Sequence, residues 1–521
     1  MDATRLAFLV ILATKLSVPA FPQTPDENWK RCGDRNPDVR IAGCTALVQS
    51  GREPRENLAR AFFNRGLAHD EKQQTDRAIG DYSEAIRYQP DFAEAFHNRG
   101  FDYNQKGQID QAIADYDEAI RYQPSLAQAF ANRAVAFTHK GLYDRAIQDS
   151  NRAIRLMPNE SGFLTNRGIV HDHMRQYDHA ILDYTQVIRL RPDNTEAYVD
   201  RGVDYIALGK YDQAIQDFDK AIRLQPDLFE AFANRGDAYN KKGRHDYAIR
   251  DYNQAIQLRP NEPGLFYNRG VAYSGSEQYD RSIQDFDQAI LLKPDFAEAI
   301  NTRGTAYYLK REYDRSIQDF DQAIRLRPND TEPLEGRGLA YFQKAQFDRA
   351  IQDFDLAIRV KGDYVRALNN RSYAYFALMR FRESAADMER SLTLSRTQPY
   401  AVLWLHLARR RQGLDDTQEF TERVAGSDLI QWPGPIAKLF IGMISADQLL
   451  QLVTSPDTQL ASRRRCDVAF FLGEYALLGQ DSAHAIPRLQ EARDVCTIQT
   501  PQSVLAVTDL RGLEQGSVSV K

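Results

Sequence analysis

Small and apolar residues recur along most of the chain with a fixed period of thirty-four residues. The segment YDRSIQDFDQAI begins at Tyr279 and begins again, letter for letter, at Tyr313. With Ala59 taken as place 1 of a unit, the recurring residues of that unit stand at places 4, 8, 20, 24, 27 and 32: Phe62, Gly66, Ala78, Tyr82, Ala85 and Pro90. The spacing predicts two helices in each unit, with small residues where the helices approach closely and aromatic residues beside them.

Proline marks the end of most units. Place 32 is proline in eight consecutive units: Pro90, Pro124, Pro158, Pro192, Pro226, Pro260, Pro294 and Pro328. Because proline cannot continue the second helix, it ends one unit and lets the next begin. Place 15, where the two helices are joined, is often glycine: Gly107, Gly141, Gly209 and Gly243.

This pattern resembles the tetratricopeptide repeat, a helix–turn–helix unit of thirty-four residues. The resemblance extends over ten units, at residues 57–396. It implies an all-α fold in which the units stack into a right-handed superhelical solenoid. It also implies that the chain binds a protein or peptide partner.

Two polar places depart from the apolar or aromatic residues that this family usually has. Place 7 is arginine in all ten units: Arg65, Arg99, Arg133, Arg167, Arg201, Arg235, Arg269, Arg303, Arg337 and Arg371. Place 23 is aspartate in all ten: Asp81, Asp115, Asp149, Asp183, Asp217, Asp251, Asp285, Asp319, Asp353 and Asp387. The two places face each other in an antiparallel hairpin, so we predict an ion pair in each unit, Arg303 with Asp319 for example. Tenfold repetition favours a structural role over an active-site carboxylate.

By the family's geometry, the first helices line the concave face of the solenoid, and place 6 points into it. Place 6 is asparagine in seven units: Asn64, Asn98, Asn132, Asn166, Asn234, Asn268 and Asn370. A row of amides can hold an extended peptide, because each amide offers both a donor and an acceptor. The alternative is that asparagine is simply common at this place.

The late units have large apolar residues on the same face. Early units are polar at place 12, whereas three late units have Tyr308, Phe342 and Phe376 there, with Tyr373 nearby. An apolar row on a surface predicts a hot spot for a partner. The alternative is that the C-terminal segment of the chain itself folds against this row.

The first twenty residues differ from the rest of the chain. Arg5 is followed by an apolar run at 6–13 and by small residues that end at Ala20, an arrangement that resembles a secretory signal peptide. The alternative, a membrane anchor, needs a longer apolar run. We therefore predict an exported protein, periplasmic or secreted, that has no membrane span after cleavage.

Charge and cysteine content agree with an exported scaffold. The chain has 67 basic and 72 acidic residues, a net charge of −5, which argues against general nucleic-acid binding because that function requires a basic surface. An even number of cysteines in an exported chain suggests disulfides. We predict the pairs Cys32–Cys44 and Cys466–Cys496, the second because its members face each other in a further repeat-like unit. The alternative is buried free thiols.

The segments on either side of the array have different predicted roles. Residues 21–56 are predicted to cap the first repeat. Residues 397–521 are predicted to be helical, with a degenerate repeat and a repeat-like unit at about 466–499. Within them, WPGPIAKLFIGMIS and RRRCDVAFFLGEYALLGQDSAHAIPRLQEA resemble the tail of the new-lipoprotein-I-type adaptors of the bacterial envelope. That resemblance implies a scaffold that brings envelope enzymes together, although here Phe21 stands where a lipoprotein has its cysteine.

No motif for catalysis or for a cofactor stands out in the sequence. It has no glycine-rich phosphate loop and no serine nucleophile elbow. His139 and His173 share place 13 of successive units, but one repeat step separates them too widely for a shared metal ion. We predict a non-enzymatic interaction scaffold of the cell envelope without cofactor or metal. The alternative is a structural subunit of an envelope or secretion assembly that uses its outer surface.

Overall fold

The computed structural model describes residues 27–395, 398–425, 429–453, 458–496 and 500–515. The predicted signal peptide lies outside these ranges. All regular secondary structure within them is helical, which confirms the predicted all-α fold. The chain divides into two compact units, residues 1–260 and 261–521.

The described part of the first unit contains fourteen helices: α1 (Glu27–Cys32), α2 (Pro37–Ser50), α3 (Arg55–Glu71), α4 (Thr75–Tyr88), α5 (Ala93–Gln105), α6 (Ile109–Tyr122), α7 (Ala127–His139), α8 (Tyr143–Leu156), α9 (Ser161–His173), α10 (Tyr177–Leu190), α11 (Thr195–Ala207), α12 (Tyr211–Leu224), α13 (Phe229–Lys241) and α14 (His245–Leu258). From α3 onward, each odd-numbered helix packs against the next helix as a hairpin. The unit therefore holds six successive hairpins behind the short pair α1 and α2.

The described part of the second unit contains fifteen helices: α15 (Pro263–Gly275), α16 (Tyr279–Leu292), α17 (Ala297–Leu309), α18 (Tyr313–Leu326), α19 (Thr331–Gln343), α20 (Phe347–Val360), α21 (Val365–Ala377), α22 (Phe381–Leu394), α23 (Pro399–Arg411), α24 (Thr417–Ala425), α25 (Gly434–Phe440), α26 (Ala446–Gln451), α27 (Thr458–Leu478), α28 (Ser482–Val495) and α29 (Pro501–Glu514). Helices α15 to α22 form four more hairpins. Helices α23 to α29 follow with less regular lengths.

The residue at place 8 is small because a ring from the second helix lies against it. A Cβ atom on Gly202 would lie 2.7 Å from the Phe218 ring, and one on Gly270 would lie 2.7 Å from the Phe286 ring. Such distances are shorter than any van der Waals contact, so a larger residue would push the two helices apart. Place 20 is equally tight, since Ala78 has no exposed surface.

Each hairpin turns through a residue in the left-handed backbone region at place 15. Four of these residues are the predicted glycines, with φ between 71° and 73°. The same place in other hairpins has Gln73, Arg175, Glu277, Arg311, Ala345 and Met379, with φ between 56° and 64°. The turns therefore have the same geometry whether or not place 15 is glycine, although this conformation is sterically unfavourable for residues with a side chain.

The pair α1 and α2 packs on the first hairpin through a small apolar cluster. Trp29, Cys32, Cys44 and Leu47 are buried together with Ala61 of α3. A disulfide joins Cys32 to Cys44. A salt bridge of 2.8 Å from Arg40 Nη1 to Glu71 Oε1 adds a second tie between α2 and α3.

The C-terminal helices share one large core with the last hairpins. Trp404 of α23 is 1% exposed, and its ring lies 5.4 Å from Phe470 and 5.7 Å from Phe471 of α27, measured between centroids. Helices α28 and α29 add Leu489, Leu505 and Leu510 to the same core. A second disulfide joins Cys466 to Cys496.

Candidate partner-binding surfaces

The arginine and the aspartate that recur at places 7 and 23 lie between the two helices of each hairpin. In α17–α18, Arg303 Nε donates to Asp319 Oδ2 at 2.8 Å and Nη2 donates to Oδ1 at 2.7 Å. The two side chains are 17% and 8% exposed. Burial raises the pKa of Asp319 and Arg303 opposes the rise. The same two-point contact joins the other nine pairs, from Arg65–Asp81 to Arg371–Asp387.

The same arginines also tie successive hairpins together, a contact that the sequence analysis missed. Arg303 Nη1 donates to Asp287 Oδ1 of the preceding hairpin at 2.5 Å. Asp287 stands at place 25, two residues after the paired aspartate, within the motif DFD. Equivalent bonds run to Thr45, Ser83, Asp117, Asn151, Thr185, Asp219, Asp321 and Asp355. In the sequence, the polar residue at place 25 is the feature that could have predicted this contact between hairpins.

At least two of the asparagines at place 6, Asn132 and Asn370, donate to the preceding first helix. Asn132 Nδ2 donates to His97 Nε2 at 2.9 Å, and Asn370 Nδ2 donates to Glu335 Oε1 at 3.1 Å. His97 and Glu335 both stand at place 5. The amide thus fills the space between two neighbouring first helices.

The structure therefore corrects the predicted peptide-gripping row. Five of the seven asparagines are at most 9% exposed: Asn64, Asn98, Asn132, Asn166 and Asn234. Asn268 and Asn370 are half-buried. Buried amides that pack against a neighbouring helix cannot hold the backbone of a second protein.

The late aromatic row is also covered, by the chain itself. Phe342 is 4% and Phe376 2% exposed. The Trp404 ring lies 5.0 Å from Tyr373 and 5.4 Å from Phe376. Tyr308 is half-buried beside Tyr313, with ring centroids 5.7 Å apart. The prediction of a partner hot spot on this row is wrong for Phe342, Tyr373 and Phe376. Phe342 packs on Phe347 of its own hairpin, and Trp404 covers Tyr373 and Phe376.

Three of the buried tyrosines at place 24 are hydrogen-bonded to acids of their own hairpin. Tyr82 donates to Asp70 at 2.5 Å, and Tyr184 donates to Asp172 at 2.9 Å. Tyr252 donates to Asp237 at 2.5 Å, and burial raises the pKa of Asp237 to about 6. Phenylalanine replaces tyrosine at place 24 in α12, α16, α18 and α20, so these acids serve the fold of particular hairpins.

The described residues provide no arrangement for metal chemistry. Within those ranges, no three histidine, cysteine, aspartate or glutamate side chains come together as metal ligands. None of the helices placed there has both the length and the apolar character needed to cross a bilayer.

An open groove of about 520 Å³ lies on the hairpin α13–α14. Its aromatic wall consists of Phe232, Tyr239 and Tyr247, and the last two rings are 5.2 Å apart. Tyr247 is 48% exposed. Arg250 lies over this ring at 5.5 Å from its centroid. The amides of Gln254 and Gln257 complete the groove.

The hairpin α7–α8 shows why this groove is open. There Arg145 lies 4.1 Å from the Phe137 centroid and Arg152 lies 5.9 Å from that of Phe130. These arginines cover the rings that correspond to Tyr239 and Phe232. In α13–α14 the two covering places hold Tyr247 and Gln254 instead. Exchange of two arginines for a tyrosine and an amide thus uncovers an aromatic surface.

Family models for the tetratricopeptide repeat match the chain along most of residues 59–399, and the chain belongs to this family. A model described as TPR repeat matches 102–141, 202–243, 236–275 and 304–345. Two models described as tetratricopeptide repeat match 59–92, 162–194 and 263–296, and 336–399. Repeat proteins of this kind generally mediate protein–protein interactions through their extended surfaces.

Several solved structures are similar to parts of the chain. A tetratricopeptide repeat protein from Parabacteroides merdae is 22% identical, with a TM-score of 0.41, and the match covers 48% of this chain and 98% of that one. Yeast Tom70 is 16% identical, with a TM-score of 0.40 and coverage of 78% and 99%. YrrB, described as a TPR protein with an unusual peptide-binding site, is 21% identical, with a TM-score of 0.33 and coverage of 38% and 97%. No curated protein matches the chain.

Proposed function

We propose that the chain is a protein–protein interaction scaffold that works as an adaptor in the bacterial cell envelope. The observation that carries this proposal is the open groove on α13–α14, which presents aromatic rings, an arginine and amides on a repeat scaffold. Aromatic residues and arginine are the side chains that most often dominate binding energy at protein interfaces. The groove is therefore the surface to which we assign a partner.

The groove suits an extended peptide segment that carries a carboxylate. The rings of Tyr239 and Tyr247 offer a flat apolar surface for a side chain. Arg235 is already bound to Asp251 and Asp219, which leaves Arg250 as the cation at the rim. The amides of Gln254 and Gln257 can both donate to and accept from a peptide backbone. An acidic segment with one apolar or aromatic residue uses all these groups.

The compartment is inferred from three separate features. The first twenty residues resemble a signal peptide. The two disulfides support an oxidising compartment. The segment around Trp432 resembles the tail of new-lipoprotein-I-type adaptors. A structural subunit of an envelope assembly, the alternative role, would use the repeat surface without a peptide-sized site.

The test closes the groove in the way that α7–α8 closes its own. The double variant Tyr247→Arg/Gln254→Arg restores arginine at both covering places, and Gln111→Arg adds arginine at the place of Tyr247 in another hairpin. Residues 21–521 of wild type and of each variant are used to capture proteins from an envelope extract. Each captured protein is then purified and titrated calorimetrically against the three chains.

We expect a captured partner to bind the double variant at least about tenfold more weakly than wild type, because it loses hot-spot contacts. The Gln111→Arg control should bind like wild type. Equal affinity for all three chains would remove the groove as the partner site. A wild-type chain that captures no protein from the extract would count against the scaffold function itself.

A further inference from the structure

Three ionisable side chains from three helices meet beneath α29. They are Arg411 of α23, Glu474 of α27 and Asp509 of α29, with side chains 4%, 0% and 8% exposed. Arg411 Nη2 donates to Asp509 Oδ1 at 2.5 Å, and Arg411 Nε lies 3.3 Å from Glu474 Oε2. One guanidinium thus serves two buried carboxyl groups.

Aromatic rings cover the arginine of this group. The Phe376 and Phe381 rings cover Arg411, with centroids 5.8 Å and 5.4 Å from its Cζ. Burial raises the pKa of Glu474 well above its ordinary value, Arg411 opposes the rise and Asp509 adds to it. Two adjacent buried carboxyls beside one arginine retain a proton that free carboxyls lose.

The other charged groups around α29 are satisfied or exposed. Asp467 of α27 accepts from Gln502 of α29 at 3.0 Å, from Tyr400 at 2.6 Å and from Trp432 at 2.8 Å. Burial raises its pKa as well. From α28, Arg493 faces Glu514 of α29 at the surface. From α21, Tyr373 faces Asp467.

Helix α29, the last helix that the structure describes, brings Asp509 to this group. It packs against α21, α27 and α28, and its buried apolar anchors are Leu505, Ala506 and Leu510. Arg411 and Glu474 lie on helices that the rings of Trp404, Phe470 and Phe471 hold in the core. Ionisation of both carboxyls would therefore weaken the docking of α29 most directly, because α29 is the helix that brings Asp509 next to Glu474.

We propose that α29 is a proton-linked latch, which is docked while the Glu474–Asp509 pair shares one proton and undocks when that proton is lost. The undocked state relieves the repulsion between two carboxylates in a buried site. It also uncovers the face of α21 on which α29 lies. Rising pH thus opens this part of the second unit and falling pH closes it.

Hydrogen–deuterium exchange of the full chain at pH 5.5 and pH 8.5 tests the latch. Protection factors of peptides from 500–515, corrected for the intrinsic exchange rate, report the docking of α29. Wild type should lose on the order of tenfold in protection at the higher pH, since one pKa unit of linkage corresponds to a factor of ten. Glu474→Gln leaves Asp509 as the one carboxylate beside Arg411, so no second carboxyl has to ionise there, and the variant should keep its protection at both pH values.

Asp494→Asn is the matched control, because Asp494 is an exposed carboxylate of α28 with a side chain 62% exposed. This variant should show the same loss of protection as wild type. If Glu474→Gln does not fold, Asp509→Asn replaces it, since that variant also leaves one carboxylate for Arg411 and should be insensitive to pH. Equal protection of wild-type α29 at both pH values would overturn the latch, and so would a full pH response in both variants.

Discussion

Buried charge is balanced in the repeat hairpins and unbalanced in the C-terminal helices. Arg303 has one buried partner, Asp319, and a second one, Asp287, that is 52% exposed. Arg411 shares its charge between two carboxyls that are at most 8% exposed. The hairpin pair is 16 residues apart in the chain, whereas Arg411 and Asp509 are 98 apart. A local pair can be copied with its repeat, but a group assembled from distant helices occurs once.

The apolar interiors differ in the same way. Eight of the ten hairpins bury one ring of their own at place 24, such as Phe320 in α18. The C-terminal helices instead share Trp404, Phe470 and Phe471 in one continuous core. Stability of the array is therefore spread over many equivalent contacts, and stability of the C-terminal helices depends on few.

The sharpest way to test this difference is Trp404→Ala. Loss of a ring at 1% exposure should cost about 3–5 kcal/mol in the free energy of unfolding, because the cavity cannot collapse among packed rings. Chemical denaturation followed by far-ultraviolet circular dichroism measures the loss. Leu182→Ala removes a side chain that is 67% exposed and should change stability by less than about 0.5 kcal/mol. Similar effects of the two variants would contradict the single-core description.

Within the array, the two aspartates that bind Arg303 should differ strongly. Asp319→Leu leaves the buried arginine with a surface partner only, and we expect a loss of about 3 kcal/mol. Asp287→Leu removes an exposed partner and should cost less than about 1 kcal/mol. The shift in the denaturation midpoint of each variant measures these two stability losses. An unchanged midpoint for Asp319→Leu would mean that the pair adds nothing to the hairpin.

A smaller effect is expected from the buried acid of α13. The pKa of Asp237 rises from 3.8 to about 6, so the folded state disfavours its ionised form. Its contribution to stability is complete below pH 3.8 and is lost as the pH rises through 6, by about 1.4 kcal/mol for each pH unit in this window. Asp237→Asn should remove this slope and stabilise the chain at pH 7. Thermal melts from pH 3.5 to pH 7.5 measure the slope, which the exposed-site control Asp144→Asn should retain.

The smallest expected effect concerns the turns. Arg311 has a φ of 64°, and Arg311→Gly should stabilise its hairpin by about 1 kcal/mol, because glycine adopts this region without steric cost. Gly209 has a φ of 72° in the equivalent turn, and Gly209→Ala should destabilise by a similar amount. The two melting temperatures should move in opposite directions. Shifts of the same sign would show that the turns of different hairpins are not equivalent.

The fold could be predicted from the sequence because its contacts are local and repeated. Gly202 and Phe218, for example, are close in the chain and meet in the same way as their counterparts in seven other units. The partner surface could not be predicted in the same way. Phe376 has the sequence context of an exposed inner-face residue, and only the position of Trp404, on a helix outside the array, shows that it is covered.

The groove on α13–α14 lies between these two cases. Tyr247 departs from the arginine that five units have at place 19, whereas three other units share the glutamine of Gln254 at place 26. The effect of these residues on the groove becomes clear only from the structure of α7–α8, where Arg145 and Arg152 cover two aromatic rings. The sequence alone does not show that the arginines cover those rings. A departure from the repeat becomes informative once the geometry of an intact repeat is known.

The sequence by itself determined the all-α hairpin architecture, because a thirty-four-residue period imposes the same short-range contacts on every unit. Only the tertiary structure decided which inner-face residues are buried and where one arginine must serve two carboxyls. Burial and electrostatics depend on what every other helix places nearby, and Asp509 meets Glu474 and Arg411 only because α23, α27 and α29 pack in one core.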